Sequence, residues 1–252
     1  MKMSKTRLYV EKELSSNIMI YIKNKQHHFL KNVLRIKIHD NILIFDSLTG
    51  EWLSKVVSIN RDNIVLQVIK KTKELESETD IWLIFAPIKS FRMNITIQKA
   101  TELGVSRFLP CITQNTNQIK INIRNLRSNI IEASEQSERL SLPLIDEPIK
   151  IDNVVDNFPN DRCLIFCNEN NENLPRIYEA VSKKVHQYNK WAVLIGPEGG
   201  FSKHEVEKIV SLKSTVSVSL GERILRSDTA TTVAIFALQN LVEKKEISDI
   251  LS

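Results

Sequence analysis

Glycine is scarce in this 252-residue chain, with only six in all. Four of the six, Gly196, Gly199, Gly200 and Gly221, fall between Trp191 and Thr231. Cysteine is scarcer still: three, an odd number and widely placed, which argues against a disulfide framework. No apolar run approaches the roughly 20 residues of a membrane-spanning helix. The N-terminus is polar and basic (Lys2, Lys5, Arg7) and lacks the apolar segment of a secretory signal. These absences predict a soluble cytoplasmic protein that does not enter a membrane. His27 and His28 stand together with no third ligand in sight, so no metal site is expected. The glycine-rich turn Gly196 to Gly200 lacks the Gly-Lys-Ser/Thr ending of a phosphate-binding loop. No dinucleotide-type glycine turn follows the strand that ends near Phe85.

What is present is unevenly distributed. Residues 1–73 carry 14 Lys and Arg against 6 Asp and Glu, a net of +8; the rest of the chain carries 21 against 24, a net of −3. A basic front third calls for an anionic partner, nucleic acid first, or else forms a lysine-rich solvated surface.

Periodicity divides the chain the same way. Leu8-Tyr9-Val10, Ile18 to Ile22, Asn41 to Phe45, Glu51 to Ile59 and Asn63 to Ile69 read as strands. Thr49-Gly50 is a hairpin turn between two of them, and Gln26 to Arg35 has helical spacing. Short strands this close together predict a small barrel. The polar stretch 70–80 is a composition break, which sets the domains at 1–73 and 74–252. Beyond it strands and helices alternate: strand Ile81 to Phe85, helix Phe91 to Leu103, strand Val105 to Ile112, helix Ile123 to Leu140, strand Cys163 to Cys167 and helix Leu174 to Val185. Two strands then stop at Gly196 and Gly221, and a last helix runs from about Asp228 to Val242. Alternation of this kind predicts an α/β domain with a mostly parallel sheet. Two glycine-ended strands predict a pocket at the carboxyl edge of that sheet.

Within that edge, Ser202 is the expected N-cap of the helix that follows the glycine turn. Asp228 suits a helix N-terminus. Arg226 does not, because a cation there opposes the helix dipole; it calls for an anionic partner, carboxylate or phosphate. Cys163 and Cys167 are expected to face the core, as are Phe29 and Phe201, with Phe201 alternatively lining the pocket.

Leu194-Ile195-Gly196-Pro197-Glu198-Gly199-Gly200-Phe201-Ser202 and Leu220-Gly221 through Ile224-Leu225-Arg226 resemble the signatures of the RsmE family. That family comprises methyltransferases of the SPOUT class acting on N3 of a uridine in 16S ribosomal RNA. Gln98 to Val105, Glu132 to Arg139 with Pro143, and His28 with Val33-Leu34-Arg35 resemble three further motifs of the family. The match runs from Arg7 to the last helix. Two departures stand out. Leu225-Arg226-Ser227-Asp228-Thr229 replaces a common Leu-Arg-Thr-Glu-Thr. Gln114-Asn115-Thr116 replaces a frequent Glu-Arg-Ser, so an arginine is missing there.

The resemblance implies a PUA-like barrel at residues 1–73, docking RNA, and a SPOUT domain at 74–252 with a trefoil knot. It implies S-adenosylmethionine as cofactor, 16S rRNA of the small subunit as partner, and a homodimer without metal. The cofactor residues it implies are Leu194, Ile195, Gly196, Pro197, Gly199, Gly200, Leu220, Gly221, Ile224, Leu225 and Arg226. N3 of uracil must lose a proton before it attacks, so a base and a cation would both help. Arg226 is the candidate cation, with Glu198 and Asp228 as candidate proton acceptors. Glu198 alternatively braces the loop. Arg7, Lys31, Arg35 and Arg139 are the candidate RNA contacts. Ribose 2′-O methylation and an RNA-binding assembly factor without catalysis are the rival functions.

Overall fold

The computed structural model describes residues 3–117, 120–168 and 173–251; Lys2 lies outside them. The chain forms two compact units. One is Met1–Ser77 with Ser134–Leu142, and the other is Glu78–Ala133 with Pro143–Ser252.

The first unit is a five-stranded sheet. Its strands are β1 (Met3–Tyr9), β2 (Met19–Ile22), β3 (Asn41–Phe45), β4 (Glu51–Ile59) and β5 (Ile64–Lys73), in the order β1-β3-β4-β5-β2. Only β1 and β3 run parallel; the other pairs are antiparallel. Alternate residues of the strands, among them Leu8, Ile20, Ile42, Ile44, Val56 and Leu66, meet in one core. The helical segment between β2 and β3 is split. A short α1 (Asn24–His28) passes into a π-helical turn, Phe29–Val33, whose Leu30 is fully buried.

The β3–β4 hairpin turns on more than Thr49-Gly50. Asp46 is buried, and its carboxylate accepts the backbone N–H groups of Leu14, Leu48 and Thr49 at 2.7–2.9 Å and the Thr49 hydroxyl at 2.8 Å. Burial pushes the Asp46 pKa up, but these donors outweigh it and hold the carboxyl below its ordinary value. Gly50 adopts φ +100°, and a Cβ there would lie 2.3 Å from the Lys73 carbonyl.

Arg7 lies in β1 and is 6% exposed. Its guanidinium pairs with Glu51 at 2.5 Å and Glu138 at 3.3 Å, and Lys73 also reaches Glu138. Glu135 accepts the Tyr9 N–H at 2.9 Å. Segment 134–142 is thus held to the sheet by carboxylates, which is why it belongs with the first unit.

The second unit is a parallel sheet. It comprises β6 (Asp80–Phe85), β7 (Arg107–Ile112), β8 (Leu144–Ile145), β10 (Arg162–Cys167), β11 (Lys190–Ile195) and β12 (Thr215–Val218), in the order β12-β10-β11-β6-β7-β8. A short β9 (Ile149–Lys150) pairs with β7. This is the parallel sheet that the alternation predicts. Trp191 to Ile195 in β11 are all buried, as expected of a strand covered on both faces. Helices α4 (Ile151–Asp156) and α6 (Lys203–Ser211) pack over a core of Ile84, Leu109, Leu164, Phe166 and Leu194. Helices α2 (Ser90–Glu102), α5 (Ile177–Ser182) and α7 (Ser227–Leu251) pack together, and α7 also lies on β11. Helix α3 (Ile123–Gln136) buries Leu126, Ile130 and Ala133; Ser137, expected on the same stripe, lies past its end and is exposed.

The amino edge of this sheet is closed by charge. Arg162 is 2% exposed, donates to the Asp80 and Trp191 carbonyls at 3.0 and 2.8 Å, and pairs with the Asp80 carboxylate. Burial raises the Asp80 pKa; the bonds from Arg162 and Ser106 more than reverse this, and the net shift is downward. The carboxyl edge is left open, and the functional residues gather there.

Candidate active site

Three parallel strands, β11, β10 and β12, end side by side. Beyond their carboxyl ends lies a cavity of about 890 Å³, lined by Cys167 and Asn168 at the end of β10, the glycine loop after β11, and Ser219 to Arg226 after β12. The two glycine-ended strands are therefore not neighbours: β10 separates them, and its own end completes the wall.

Each glycine has a separate local reason. Gly196 has an ordinary backbone, but a Cβ there would lie 2.6 Å from the Phe201 ring. That ring stands edge-on to Phe166, with centroids 5.3 Å apart and planes at 78°, and is fixed by the core beneath. A side chain at 196 would have to displace it. Gly200 (φ +66°) closes a tight turn through its N–H to the Pro197 carbonyl at 2.9 Å. Gly221 adopts φ +145°, where L side chains are strained. Ser202 caps α6 as expected, and its partner Glu205 completes a capping box. The first hydroxyl of α7, Ser227 Oγ, donates to the Gly196 carbonyl at 3.3 Å, joining the two loops.

Most of the cofactor residues expected from the sequence line this cavity: Ile195, Gly196, Pro197, Gly200, Leu220, Gly221, Ile224, Leu225 and Arg226. Leu194 and Gly199 are absent from its wall. Leu194 is 1% exposed and packs in the core below. Gly199 faces Asn115, whose Cβ would be 3.1 Å from a Cβ at 199.

Of the three catalytic candidates, Glu198 and Arg226 line the cavity and Asp228 does not. Asp228 accepts the Thr229 N–H at 3.0 Å at the start of α7. Glu198 is paired with Arg92 at 2.5 Å, and both groups are partly exposed. The Arg226 side chain is exposed, and no carboxylate of the described residues pairs with it. Cys163 is buried as expected, but Cys167 is at the cavity wall; burial pushes its thiol up to about 12, so it stays protonated at neutral pH.

Sequence reading missed Arg92, Asn168 and Arg176 as wall residues. Arg92 sits in the first turn of the helix after β6, the neighbour of β11. The rule that ligands bind outside the carboxyl ends of parallel strands points to that turn once strand order is known.

The RNA candidates all belong to the first unit. Lys31 and Arg35 are exposed, Lys31 donating to the Asn60 carbonyl at 3.2 Å. Arg139 donates to Ser141 at 2.8 Å and is half-buried. Arg7 is the exception: its guanidinium is enclosed between Glu51 and Glu138 and is not presented to a phosphate.

An α/β domain with a ligand cavity at its carboxyl edge, joined to a small β unit, fits a two-part RNA methyltransferase. The family model for the RNA methyltransferase domain matches residues 75–239, and that for the RNA methyltransferase PUA domain matches residues 22–69. The chain belongs to the ribosomal RNA small subunit methyltransferase E family. It is 32% identical to the protein of that name from Rickettsia conorii over 92% of this chain and 94% of the relative. To the protein of the same name from Bacillus subtilis it is 25% identical, over 88% and 90%. A protein from Legionella pneumophila, described as a methyltransferase and solved with bound cofactor SAM, superposes with a TM-score of 0.83 at 25% identity, covering 93% of this chain and 97% of that one. A ribosomal RNA small subunit methyltransferase E from Neisseria gonorrhoeae bound to S-adenosyl methionine gives 0.78 at 26% identity, covering 94% and 97%.

Proposed function

We propose that this protein transfers a methyl group from S-adenosylmethionine to N3 of a uridine in 16S rRNA of the small ribosomal subunit. The observation that carries the reading is the cavity: three strand ends and two glycine loops line it, in a chain matched over 92% of its length by a protein named ribosomal RNA small subunit methyltransferase E. Its volume of about 890 Å³ suits a nucleoside-sized ligand, since small-molecule sites span about 300–1,000 Å³.

The residues present fit the cofactor. Gly196, Gly200 and Gly221 let backbone approach it closely, while Ile195, Leu225 and Phe201 supply apolar wall that excludes water. Arg92, Arg176 and Arg226 supply positive charge for its carboxylate, and Glu198 and Glu222 negative charge for its cationic groups. When bound, S-adenosylmethionine supplies an electrophilic methyl group on a sulfonium.

The chain's contribution is positioning and charge. Arg226 at the cavity wall stabilises negative charge on the uracil ring as N3 loses its proton. Glu198 is a carboxylate on that wall, held by Arg92, and is favoured over Asp228 as proton acceptor because Asp228 is turned to its own helix. Arg226→Ala is expected to lower kcat about 100-fold at saturating cofactor and RNA, in line with removal of one stabilising donor. An unchanged kcat would remove Arg226 from the chemistry.

The domains are taken as a PUA-like RNA-docking barrel at 1–73 and a SPOUT methyltransferase domain at 74–252. Lys31 and Arg35 of the barrel, and Arg139 of the segment Ser134–Leu142 that belongs to the same compact unit, are the phosphate contacts, with Arg7 assigned instead to bracing. A target uridine must be unpaired or extruded for N3 to be reached. A trefoil knot in the second domain is supported by the path of the chain: β12 lies at the sheet edge, yet α7 returns to β11 and is tied to the Gly196 loop through Ser227. A homodimer is supported by apolar side chains left outside: Phe91 and Phe236 on two helices that pack together, and Ile224, 85% exposed at the cavity wall. Cytoplasmic location follows from an rRNA substrate; no helix among the described residues is long and apolar enough to cross a membrane.

The test is transfer of labelled methyl from S-adenosylmethionine to small subunits that lack the modification, followed by digestion and mass identification of the nucleoside. The reading expects 3-methyluridine. Label on a ribose 2′-oxygen, or none, would reject it.

A further inference from the structure

Gln114-Asn115-Thr116, where the chain departs from its family's usual Glu-Arg-Ser, is built against the cofactor loop. The Asn115 side-chain amide lies 3.0 Å from the Gly199 carbonyl and 3.2 Å from the Gly200 carbonyl. Both partners are acceptors, so the amide must present its nitrogen to them, one proton to each. Its Cβ fills the space that a Cβ on Gly199 would need. On either side the turn is pinned. The Gln114 N–H donates at 2.7 Å to Glu205 Oε1, while Glu205 Oε2 accepts the Ser202 N–H and hydroxyl at 2.8 and 3.0 Å. The Thr116 hydroxyl accepts the Thr113 N–H at 2.9 Å and pairs with the Thr113 hydroxyl at 2.8 Å. Glu205 is 6% exposed, so the C-terminal side of the glycine loop, Gly199 to Ser202, is referred to one buried carboxylate and one amide.

We propose that Asn115 is a positioning residue for the methyl donor: its two amide protons fix the Gly199 and Gly200 carbonyls and hold the 196–200 loop in the shape that forms the cavity wall. It touches no ligand itself, since the wall includes Gly200 but not Asn115. Among the described residues the rest of the loop is held more loosely: Gly200 contributes its N–H to Pro197, Ser227 Oγ reaches the Gly196 carbonyl at 3.3 Å, and Glu198 pairs with the partly exposed Arg92. The proposal rests on the reading that this cavity holds S-adenosylmethionine.

The chemistry gives the test a direction. Asparagine and aspartate have nearly the same shape, but a carboxylate has no proton to offer and faces two carbonyl oxygens. Asn115→Asp should therefore weaken S-adenosylmethionine binding at least as much as Asn115→Ala, each by about ten-fold or more, the scale of one or two lost hydrogen bonds. Calorimetry with S-adenosylmethionine on the RNA-free protein reads this directly. Thermal midpoints without ligand check that both variants are folded. In steady-state assays the KM for the donor should rise while the KM for RNA stays unchanged. Wild-type affinity in Asn115→Asp together with loss in Asn115→Ala would mean that side-chain size, not the donated protons, matters, and would overturn the proposal. Wild-type affinity in both would overturn it too. Failure of the unmodified protein to bind S-adenosylmethionine would instead overturn the cavity reading itself.

Discussion

Gly196 is the residue at which sequence, packing and binding meet. Its backbone conformation is open to any amino acid, so conformational freedom does not explain it. The Phe201 ring does, at 2.6 Å from where a Cβ would sit. Phe201 is held edge-on by Phe166 and packs against the core under the cavity, so a Cβ at 196 pushes it off that contact. Gly196→Ala is therefore expected to destabilise the protein by about 1–3 kcal/mol, the usual range for overpacking. It should weaken S-adenosylmethionine binding at the same time. A melting curve with and without the donor measures both; an unchanged midpoint and affinity would show that the ring moves freely. A glycine count flags this position, but only the structure distinguishes it from Gly221, which is required by its dihedral angle. The same holds for Arg7: as one cation in a basic stretch it is indistinguishable from Lys31 in the sequence, because its partners Glu51 and Glu138 are 44 and 131 positions away.

Among the elements, the long runs with clear periodicity were legible and the short ones were not. The longer strands of both sheets, and helices α2, α3, α6 and α7, follow from apolar spacing and caps. The two-residue strands β8 and β9 and the six-residue α4 leave too little pattern to read. The order of strands was also hidden. The nearness of Gly196 and Gly221 in sequence suggests adjacent strands, whereas β10, from earlier in the chain, lies between them. Only β10's position makes Cys167 and Asn168 part of the cavity wall. The β3–β4 turn has its own testable consequence. In the folded protein the Asp46 pKa is depressed below the ordinary value of about 3.9 expected in the unfolded chain. Its stabilising contribution is then complete above that ordinary value and is lost as pH falls through the folded one. Acid unfolding followed by the Trp52 signal should show the loss below about pH 4. Asp46→Asn should destabilise the protein at neutral pH by about 1–3 kcal/mol and flatten that acid limb. An unaltered limb would assign the acid sensitivity to other carboxylates.

For the whole molecule, the resemblance of the motifs supplied the fold class and the activity, while the charge split alone left the basic third open between RNA contact and solvated surface. The proposed association between copies belongs to this scale. Phe236 is 57% exposed on α7, and Ile224 is 85% exposed beside the cavity. Phe236→Glu is expected to convert a dimer into monomers in light scattering and to abolish methyl transfer. A dimer that survives this change would place the interface elsewhere. The account as a whole turns on where the methyl donor sits. The most direct measurement is a crystal structure of this protein with S-adenosylmethionine. The account predicts the donor beyond the ends of β10, β11 and β12, against the Gly196–Gly200 loop and the Leu220–Arg226 segment. Density for the donor at any other place on the molecule, with this cavity empty, would contradict it.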